Sequence, residues 1–325
     1  MKKGLIILIA IVALISVGVI ASDLVIDSDT QSYDDKEQKL KFDGNVEVTL
    51  DKMKVLGNKA DVEVKNGKQL DTVTFYDKPY AFELQENKKR EVKANILKLS
   101  LISKVVKAIG DAQSTVYDGE DPVAVIMADV QEYDTKTNVM SASGNVTIKY
   151  DTLNTFSNRA VIRTNKSGDL KRIDLYGNAK LKQEKHTAEA DHFIYDAEKE
   201  QLIAEGHTMS NMVNDDGTTL KIKGNYQQFD KKVNTFAGSG NVQVWYQDYY
   251  AKGPKMTVYP DKKTNKFNEV YFTGRSLINQ DTKTVYADKI KLVMNPKTFY
   301  AEGNTRTVIG NIESNKDLDK NGKNK

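Results

Sequence analysis

The sequence lacks cysteine entirely and has only five prolines and one tryptophan among its 325 residues. Without cysteine the fold cannot rely on disulfides, so its stability must come from repetitive packing of the chain itself. Sixteen tyrosines beside so few prolines favour a β-rich chain over a disordered one.

The chain also lacks an excess of charge of either sign, with 48 basic against 45 acidic side chains. A nucleic-acid-binding protein needs a concentrated basic face, and this balance counts against one.

Motifs for catalysis and metal binding are missing as well. There is no glycine-rich phosphate loop and no nucleophile elbow. His186, His192 and His207 lie in neighbouring predicted strands, where two of them would be able to meet across a ladder, but no H-x-H or H-E-x-x-H spacing accompanies them. We therefore interpret them as exposed polar residues, and we predict no enzymatic activity, no cofactor and no metal.

What the sequence does contain is a repeated phrase: an aromatic-Asp pair, a polar stretch, and then Gly-Asn-Val. It runs from Tyr33-Asp34 to Gly44-Asn45-Val46, from Tyr133-Asp134 to Gly144-Asn145-Val146, and from Phe229-Asp230 to Gly240-Asn241-Val242. Weaker copies centre on Gly177, Gly206, Gly274 and Gly303, and Asp77 and Gly110 stand where missing members belong. A period of 29 to 34 residues indicates a solenoid or array, whose working part is a long surface.

The repeated aspartates are interpreted as turn formers whose carboxylates hydrogen-bond their own backbone. Calcium-binding β-roll repeats need dense Gly-Asp runs of about nine residues, and these aspartates recur at three times that distance. The residues concerned are Asp34, Asp77, Asp134, Asp196 and Asp230.

Between the turns, apolar and polar residues alternate. Phe42, Val46 and Val48 share one phase, and Asp43 and Glu47 share the other. Period two with one apolar face predicts half-buried antiparallel strands, about 25 short ones in all, joined by hairpin turns.

The repeated glycine falls on the apolar phase. One interpretation is that it lets each strand bend sharply, which would fold the sheet and leave a continuous apolar crease. The alternative is that Gly-Asn only forms a bulge or turn in each repeat.

Residues 95–109 depart from the repeat because the turn residues are missing there. We predict two strands joined by an atypical turn. A short helix is the alternative, because Leu97, Leu101 and Val105 recur at helical spacing.

Two local clusters have both a structural and a binding interpretation. Trp245 lies on the outward phase and is assigned to cross-strand aromatic packing, with a surface contact to a sugar or base as the alternative. Lys88-Lys89-Arg90 is assigned to a solvated turn, with contact to a phosphate as the alternative.

The two ends of the chain differ from the repeat. Residues 1–22 carry Lys2-Lys3 and then an uncharged apolar run, predicting either a cleaved signal peptide or an uncleaved membrane anchor formed by 4–21, and in both cases export of the rest. Residues 23–310 are predicted to be one continuous repeat domain, and 311–325 a disordered polar tail.

The order of these motifs resembles the OstA-like family, which comprises the periplasmic lipopolysaccharide-transport proteins LptA and LptC and the periplasmic domain of LptD. The likeness covers most of 24–309. The residues that carry it are Asp27-Ser28-Asp29, Tyr33-Asp34, Gly44-Asn45-Val46, Lys59-Ala60-Asp61, Tyr133-Asp134, Gly144-Asn145-Val146, Ala190-Asp191, Tyr195-Asp196 and Ala287-Asp288.

The resemblance implies an all-β, elongated antiparallel β-jellyroll or solenoid with two facing sheets, preceded here by the N-terminal apolar helix. It also implies a groove that binds the acyl chains of lipopolysaccharide or a related glycolipid and bridges the inner and outer membranes. Implied partners are other Lpt-type components joined end to end by strand addition, an inner-membrane ABC transporter complex, an outer-membrane translocon, and further copies of the chain. The chain is much longer than ordinary LptA or LptC proteins, so an LptA-like and an LptC-like role both stay open.

From the inward phase of the strands we predict sixteen groove residues. They are Phe42, Val46, Val48, Val62, Phe75, Val146, Ile148, Ile162, Ile173, Leu175, Phe193, Phe236, Val242, Val244, Phe272 and Phe299. The alternative function is a structural or adhesive cell-envelope solenoid, in which the same residues fill a closed core.

Overall fold

The computed structural model describes residues 24–310 except 51–52, 66–68, 86–87, 166–168, 215, 262 and 265–266. Over these residues the regular structure is entirely β, in 22 antiparallel strands. The strands are β1 Leu24–Asp27, β2 Thr30–Asp34, β3 Lys39–Leu50, β4 Met53–Lys65, β5 Gln69–Tyr76, β6 Tyr80–Gln85, β7 Lys88–Lys93, β8 Ile96–Ser100, β9 Val105–Asp118, β10 Asp121–Asp134, β11 Val139–Tyr150, β12 Leu153–Thr164, β13 Leu170–Gln183, β14 His186–Asp196, β15 Gln201–Val213, β16 Thr219–Asp230, β17 Thr235–Tyr246, β18 Tyr249–Pro260, β19 Phe267–Gln280, β20 Lys283–Val293, β21 Thr298–Glu302 and β22 Arg306–Ile309.

The predicted all-β antiparallel class is confirmed, and 22 strands, mostly longer than predicted, stand where about 25 short ones were predicted. Most strands have 11 to 14 residues, because ladder pairing resumes on the far side of Gly-Asn positions such as Gly44-Asn45 and Gly144-Asn145. The predicted N-terminal helix and the polar tail lie outside the described residues. Within the described part, no helix is long and apolar enough to cross a membrane.

The Gly-Asn positions are β-bulges. The registers of β3 with β4 and of β11 with β12 shift at Gly44-Asn45 and at Gly144-Asn145. At both sites two consecutive residues have left-handed backbone, with φ of +79° and +45° at the first and +76° and +49° at the second. The bulge alternative for the repeated glycine is therefore confirmed, and two left-handed residues in a row turn the strand at that point.

Four other repeat positions follow the same rule, whereas at Gly274 only the glycine is left-handed, with φ of +86°. Left-handed pairs occur at Gly110-Asp111, Gly177-Asn178, Gly206-His207 and Gly303-Asn304. Asp77 and Lys78 also form such a pair, with φ of +63° and +64°, although neither is a glycine. Strand β5 ends just before this pair, and β6 begins shortly after it. Asp77 and Gly110, the two positions predicted for missing repeat members, are therefore both bends.

The chain forms two compact units, one containing the described residues up to Thr208 with Gln228–Val233, the other Met209–Gln227 with Asn234 onward. In unit 1 the bends divide the pairing into two ladders. Arm A joins segments such as 39–43, 59–65 and 139–143, and arm B joins segments such as 46–50, 53–57 and 146–150. A strand that runs through its bulge belongs to arm A on one side of the bend and to arm B on the other.

Unit 2 repeats this arrangement. β17 pairs with β18 through 236–239 on one side of its bend and through 242–246 on the other. β18, β19 and β20 continue both ladders, and β21 and β22 each pair with one half of β20. The prediction of a single continuous domain over 23–310 stays a prediction.

Hairpin turns form at Asp34, Asp134, Asp196 and Asp230 as the aspartate pattern predicts, whereas Asp77 lies at the bend between β5 and β6. Oδ1 of Asp34 accepts hydrogen bonds from the backbone N–H groups of Lys36 and Glu37, both at 3.1 Å. Asp134 and Asp230 repeat this contact with the backbone two and three residues on. The hydrogen bond from the Lys41 ammonium and these backbone donors lower the pKa of Asp34.

Residues 95–109 form the predicted hairpin and not a helix. β8 pairs with β9 from Ile96 opposite Ile109 to Ser100 opposite Val105. The atypical turn closes through a backbone hydrogen bond from Lys104 to the carbonyl of Ser100 at 3.0 Å, and the Ser100 hydroxyl accepts from the N–H of Ser103 at 3.1 Å.

Candidate functional site

Most of the bends at a glycine are closed by an Asp or Asn that comes earlier in the sequence. At Gly144-Asn145 this residue is Asp129, whose carboxylate accepts hydrogen bonds from the Asn145 side-chain amide at 3.1 and 3.2 Å. A Cβ on Gly144 would collide with that carboxylate, so glycine is required both for its φ of +76° and for space.

The same contact recurs along the chain. Asn45 donates to Asp29 at 2.9 Å, and Asn304 donates to Asp288 at 2.7 Å. The residue that closes the bend stands 15 positions before the glycine at Gly44, Gly110, Gly144, Gly206, Gly240 and Gly303. Asp29, Asp191 and Asp288 are among the residues that carry the family resemblance, but their contact with the Gly-Asn pair was not predicted, although the constant spacing is visible in the sequence.

The bends direct one apolar face of both arms inward. Fifteen of the sixteen predicted groove residues are buried, and Phe299 is half-buried. The eleven in unit 1, Phe42, Val46, Val48, Val62, Phe75, Val146, Ile148, Ile162, Ile173, Leu175 and Phe193, belong to one contiguous cluster that contains residues of both arms. In unit 2, Phe236, Val242, Val244 and Phe272 are buried, and the Phe299 ring meets the Tyr249 ring edge-on with centroids 6.1 Å apart.

This interior also contains polar side chains that the alternation did not predict. Gln131 is buried, and its amide donates to the backbone carbonyls of Ala112 and Ile126 at 2.9 and 3.0 Å, while its own oxygen accepts from the Ser114 hydroxyl. In unit 2, Gln227 contacts Ser210 and the carbonyl of Ile222 in the same way. The two pairs are 96 residues apart in the sequence, so they are equivalent members of a longer repeat.

A charged pair also faces the interior of unit 1. Glu83 and Arg90 lie opposite each other on β6 and β7, on the same face as the buried Ala81 and Val92. Oε2 of Glu83 and Nη1 of Arg90 are 3.7 Å apart, and within the described part of the chain Nε and Nη1 of Arg90 are buried without a hydrogen-bond partner. Burial lowers the pKa of Arg90, and the Glu83 carboxylate opposes that shift.

The assignment of Lys88-Lys89-Arg90 to a solvated turn is therefore wrong. The three residues begin β7, and strand alternation points Arg90 inward and Lys89 outward. The Lys89 ammonium lies over the Tyr80 and Tyr117 rings, 5.8 and 5.7 Å from their centroids, and pairs with Glu91. A basic run on a strand is divided between two faces, which composition alone does not show.

The outer face of β12 to β15 has a cluster centred on Asp174. Its carboxylate accepts from Arg163 and Arg172 and contacts Nε2 of His192 at 3.1 Å, although its side chain is only 1% exposed. Burial opposes ionisation of Asp174, but the hydrogen bonds from Arg172 and His192 and the nearby Arg163 charge outweigh it and lower the pKa.

The histidines are placed separately from one another. The His192 ring stacks on Tyr176 with centroids 4.3 Å apart, whereas His207 is largely exposed and contacts Asp191 at 2.8 Å. His186 stands on β14 opposite Gln183. Among the described residues, no three His, Asp or Glu side chains are grouped so as to hold a metal ion.

Trp245 makes the cross-strand packing that its position predicts. It lies opposite Tyr250, with ring centroids 5.4 Å apart. The ammonium groups of Lys221 and Lys223 lie 5.6 and 5.8 Å from the Trp245 ring centroid. These outward contacts complete a stacked surface cluster and do not line the interior.

A family model described as LptA/(LptD N-terminal domain) LPS transport protein matches residues 25–124 and again residues 125–220. Together the two matches span more than half of the chain. Each is about as long as the 96-residue spacing between the two Ser–Gln pairs. No curated protein matches the sequence significantly.

Among solved structures, the chain is similar to LptH from Pseudomonas aeruginosa. That protein is described as the LptA homologous periplasmic component of the conserved lipopolysaccharide transport device. The two share 18% sequence identity at a TM-score of 0.33, over 38% of this chain and 82% of that one. A similarity at this level does not support an argument about function by itself.

Proposed function

Because the chain belongs to the LptA/LptD N-terminal family of lipopolysaccharide transport proteins, we propose that it carries lipopolysaccharide or a related glycolipid along its apolar interior. It would do so in the periplasm, without catalysing a reaction, as part of a bridge from the inner to the outer membrane. The observation that best supports this proposal is the contiguous apolar cluster of unit 1, which draws residues from both arms.

The chemistry of the cargo explains why such an interior is useful. An acyl chain that leaves a bilayer exposes its methylenes to water, at about 0.8 kcal/mol for each one. Apolar side chains such as Val48, Phe75 and Ile148 would remove that penalty by surrounding the acyl chain while the sugar head stays in water.

The pairing pattern offers a route of entry. In unit 1 the ladders run within arm A and within arm B, and the strands cross from one arm to the other only at the bends. Away from the bends the arms are held together by side-chain packing. Parting them there would admit a chain without breaking a ladder hydrogen bond, so we interpret the arms as the two facing sheets of a jellyroll.

The first and last strands provide surfaces for partners. β1 and β2 pair only with β3, and β21 and β22 pair only with β20, within the described residues. Their other edges present backbone donors and acceptors to which another chain can add a strand. We propose these edges for Lpt-type components, including an inner-membrane ABC transporter complex and an outer-membrane translocon, or for a further copy of this chain.

One observation favours the alternative of a structural or adhesive solenoid. Val48, Val62, Phe75 and Phe272 are completely shielded from solvent by the protein's own atoms. A core that is already filled needs no cargo to be stable. The carrier proposal therefore requires that the arms separate when lipid enters.

A photo-crosslinking experiment distinguishes these two functions. A photoactivatable leucine analogue is placed at Leu175, which is buried, or at Leu84, which is exposed, in the full-length chain in its own membrane. The carrier proposal expects glycolipid to be captured at Leu175 and not at Leu84. Capture at Leu84 alone, or at neither position, would reject the interior as the binding site.

A second measurement addresses the ends of the chain. The intact mass of protein extracted from its membrane shows whether residues 1–21 are retained, which decides between a protein released after signal cleavage and one anchored by 4–21. It also reports a bound glycolipid directly if one co-purifies.

A further inference from the structure

The inner face of arm B is apolar along one row of cross-strand neighbours except at two adjacent positions. Following the registers from β3 to β11, the row reads Leu50, Met53, Glu83, Arg90, Val116, Ala124 and Tyr150. Glu83 and Arg90 are the charged members of this row. The apolar members belong to the core cluster or pack against it.

The charged pair is not explained by the stability of the fold. Moving a guanidinium from water into an apolar interior is unfavourable unless its donors are satisfied. Arg90 is 11% exposed in its side chain, and its Nε and Nη1 groups have no hydrogen-bond partner among the residues that the structure describes. At 3.7 Å, Nη1 is close enough to Oε2 of Glu83 to feel its charge but too far to donate to it.

The position of the pair within the arm is informative. Glu83 and Arg90 form the third residue pair of the β6–β7 hairpin, counted from its closed end at Gln85 and Lys88. On arm A, Tyr133 is buried and stands next to the turn residue Asp134. Burial raises the pKa of Tyr133 to about 12, while the charge of Arg90 opposes this rise and the charge of Glu83 adds to it.

We propose that Arg90 binds the phosphate group of an amphiphile whose acyl chains occupy the interior. This inference rests on the lipid-carrying function proposed above. A guanidinium donates strong charge-assisted hydrogen bonds to phosphate oxygens. Near the end of the arm, it meets the bound molecule where the apolar chain gives way to the polar head. The Glu83 carboxylate balances the positive charge of Arg90 in the free protein, and it competes with the phosphate group for Arg90 when the amphiphile binds.

Isothermal titration calorimetry of the full-length chain in amphipol, with no free detergent, tests this assignment. The probes are dodecyl phosphate and dodecyl maltoside below their micellar concentrations, and inorganic phosphate. We expect dodecyl phosphate to bind at least about tenfold more tightly than dodecyl maltoside, because a charge-assisted hydrogen bond contributes about that factor. Arg90→Gln should abolish the preference for dodecyl phosphate. It should change the affinity for dodecyl maltoside by less than about twofold, which is well below a tenfold change, equivalent to 1.4 kcal/mol.

Two further variants serve as controls. Lys93→Gln removes one positive charge from the exposed face of the same strand and should leave the preference unchanged. Glu83→Gln removes the competing carboxylate and should tighten binding of dodecyl phosphate severalfold. If Arg90→Gln does not fold by circular dichroism, Arg90→Lys and Glu83→Gln still decide the question, because Glu83→Gln must change the affinity for the phosphate and not that for the maltoside.

The possible failures are separable. If neither amphiphile binds the parent chain, the proposed lipid-carrying function itself fails. If both bind and Arg90→Gln weakens both equally or neither, the lipid-carrying function stands and the assignment of Arg90 to the phosphate is overturned. If inorganic phosphate binds as tightly as dodecyl phosphate and depends on Arg90, the site binds a free oxyanion and the assignment to an amphiphile is overturned.

Discussion

Asn145 donates its side-chain amide to the Asp129 carboxylate at 3.1 and 3.2 Å, from a backbone that is itself in the left-handed region with φ of +49°. Asparagine satisfies both needs of this position, because it tolerates a left-handed backbone better than most residues and supplies the donor. The bend therefore depends on the side chain after the glycine as well as on the glycine.

Replacing Asn145 separates these two contributions. We expect Asn145→Ala to lower the free energy of unfolding by about 1–2 kcal/mol, because alanine loses the hydrogen bond and is strained at positive φ. Asn145→Gly should lose roughly half as much, because only the hydrogen bond is removed. Urea denaturation measures both values. Equal losses in the two variants would contradict a role for the backbone conformation.

Truncating a core side chain tests the packing of unit 1. Phe75 is completely buried, so Phe75→Ala should lower the free energy of unfolding by about 3–5 kcal/mol through lost burial and a residual cavity. Phe156 is 46% exposed, so Phe156→Ala should change the free energy of unfolding by less than about 0.5 kcal/mol. Chemical denaturation of both variants provides the comparison, and similar losses at the two positions would reject a closely packed interior in the absence of lipid.

The buried Gln131 provides a third prediction. Gln131→Leu removes the donors to the carbonyls of Ala112 and Ile126, and should lower the free energy of unfolding by about 1–3 kcal/mol. Because Ser114 bonds to the same amide, Ser114→Ala combined with Gln131→Leu should cost less than the sum of the single changes. Additive losses in this double-mutant cycle would show that the two side chains act independently.

The fourth prediction concerns acid stability. The pKa of Asp174 is lowered in the folded state, so its ionised form stabilises the fold above the ordinary carboxyl range near pH 4, and this contribution is lost as the pH falls through the folded pKa. Asp174→Asn should therefore be less stable than the parent at pH 7, by about 1–3 kcal/mol, and the difference should shrink below about pH 3. Thermal unfolding from pH 7 to pH 2 measures it, and a difference independent of pH would contradict the assignment.

The sequence predicted the features that depend on neighbouring residues. Alternation identified the inward face, and the aspartate spacing identified turns such as the one at Asp134, whose carboxylate bonds to its own backbone. The repeat period also located bends at Asp77 and Gly110, although only the second is a glycine. These features could be predicted because the conformation of a turn, and the face of a strand on which a side chain lies, depend on residues close by in the sequence.

Features that depend on pairing between strands were not predicted. The strands are longer than expected because a bulge keeps both partners hydrogen-bonded on either side of it, and this continuity has no signature in a single strand. Arg90 was grouped with Lys88 and Lys89 because adjacent charges look alike in sequence. Its inward orientation follows from the register with Glu83, and that register is fixed by the fold.

The 96 residues between the Ser114–Gln131 and Ser210–Gln227 pairs also separate Gly110 from Gly206 and Gly144 from Gly240. Positions 96 residues apart are therefore structurally equivalent. Unequal crossing-over of the gene between two such positions would add or remove a whole number of bends. The strand formed at the junction would then pair on each edge with a strand equivalent to its original neighbour. A lineage would thus be able to lengthen or shorten the protein in fixed steps, with no intermediate that has lost its register.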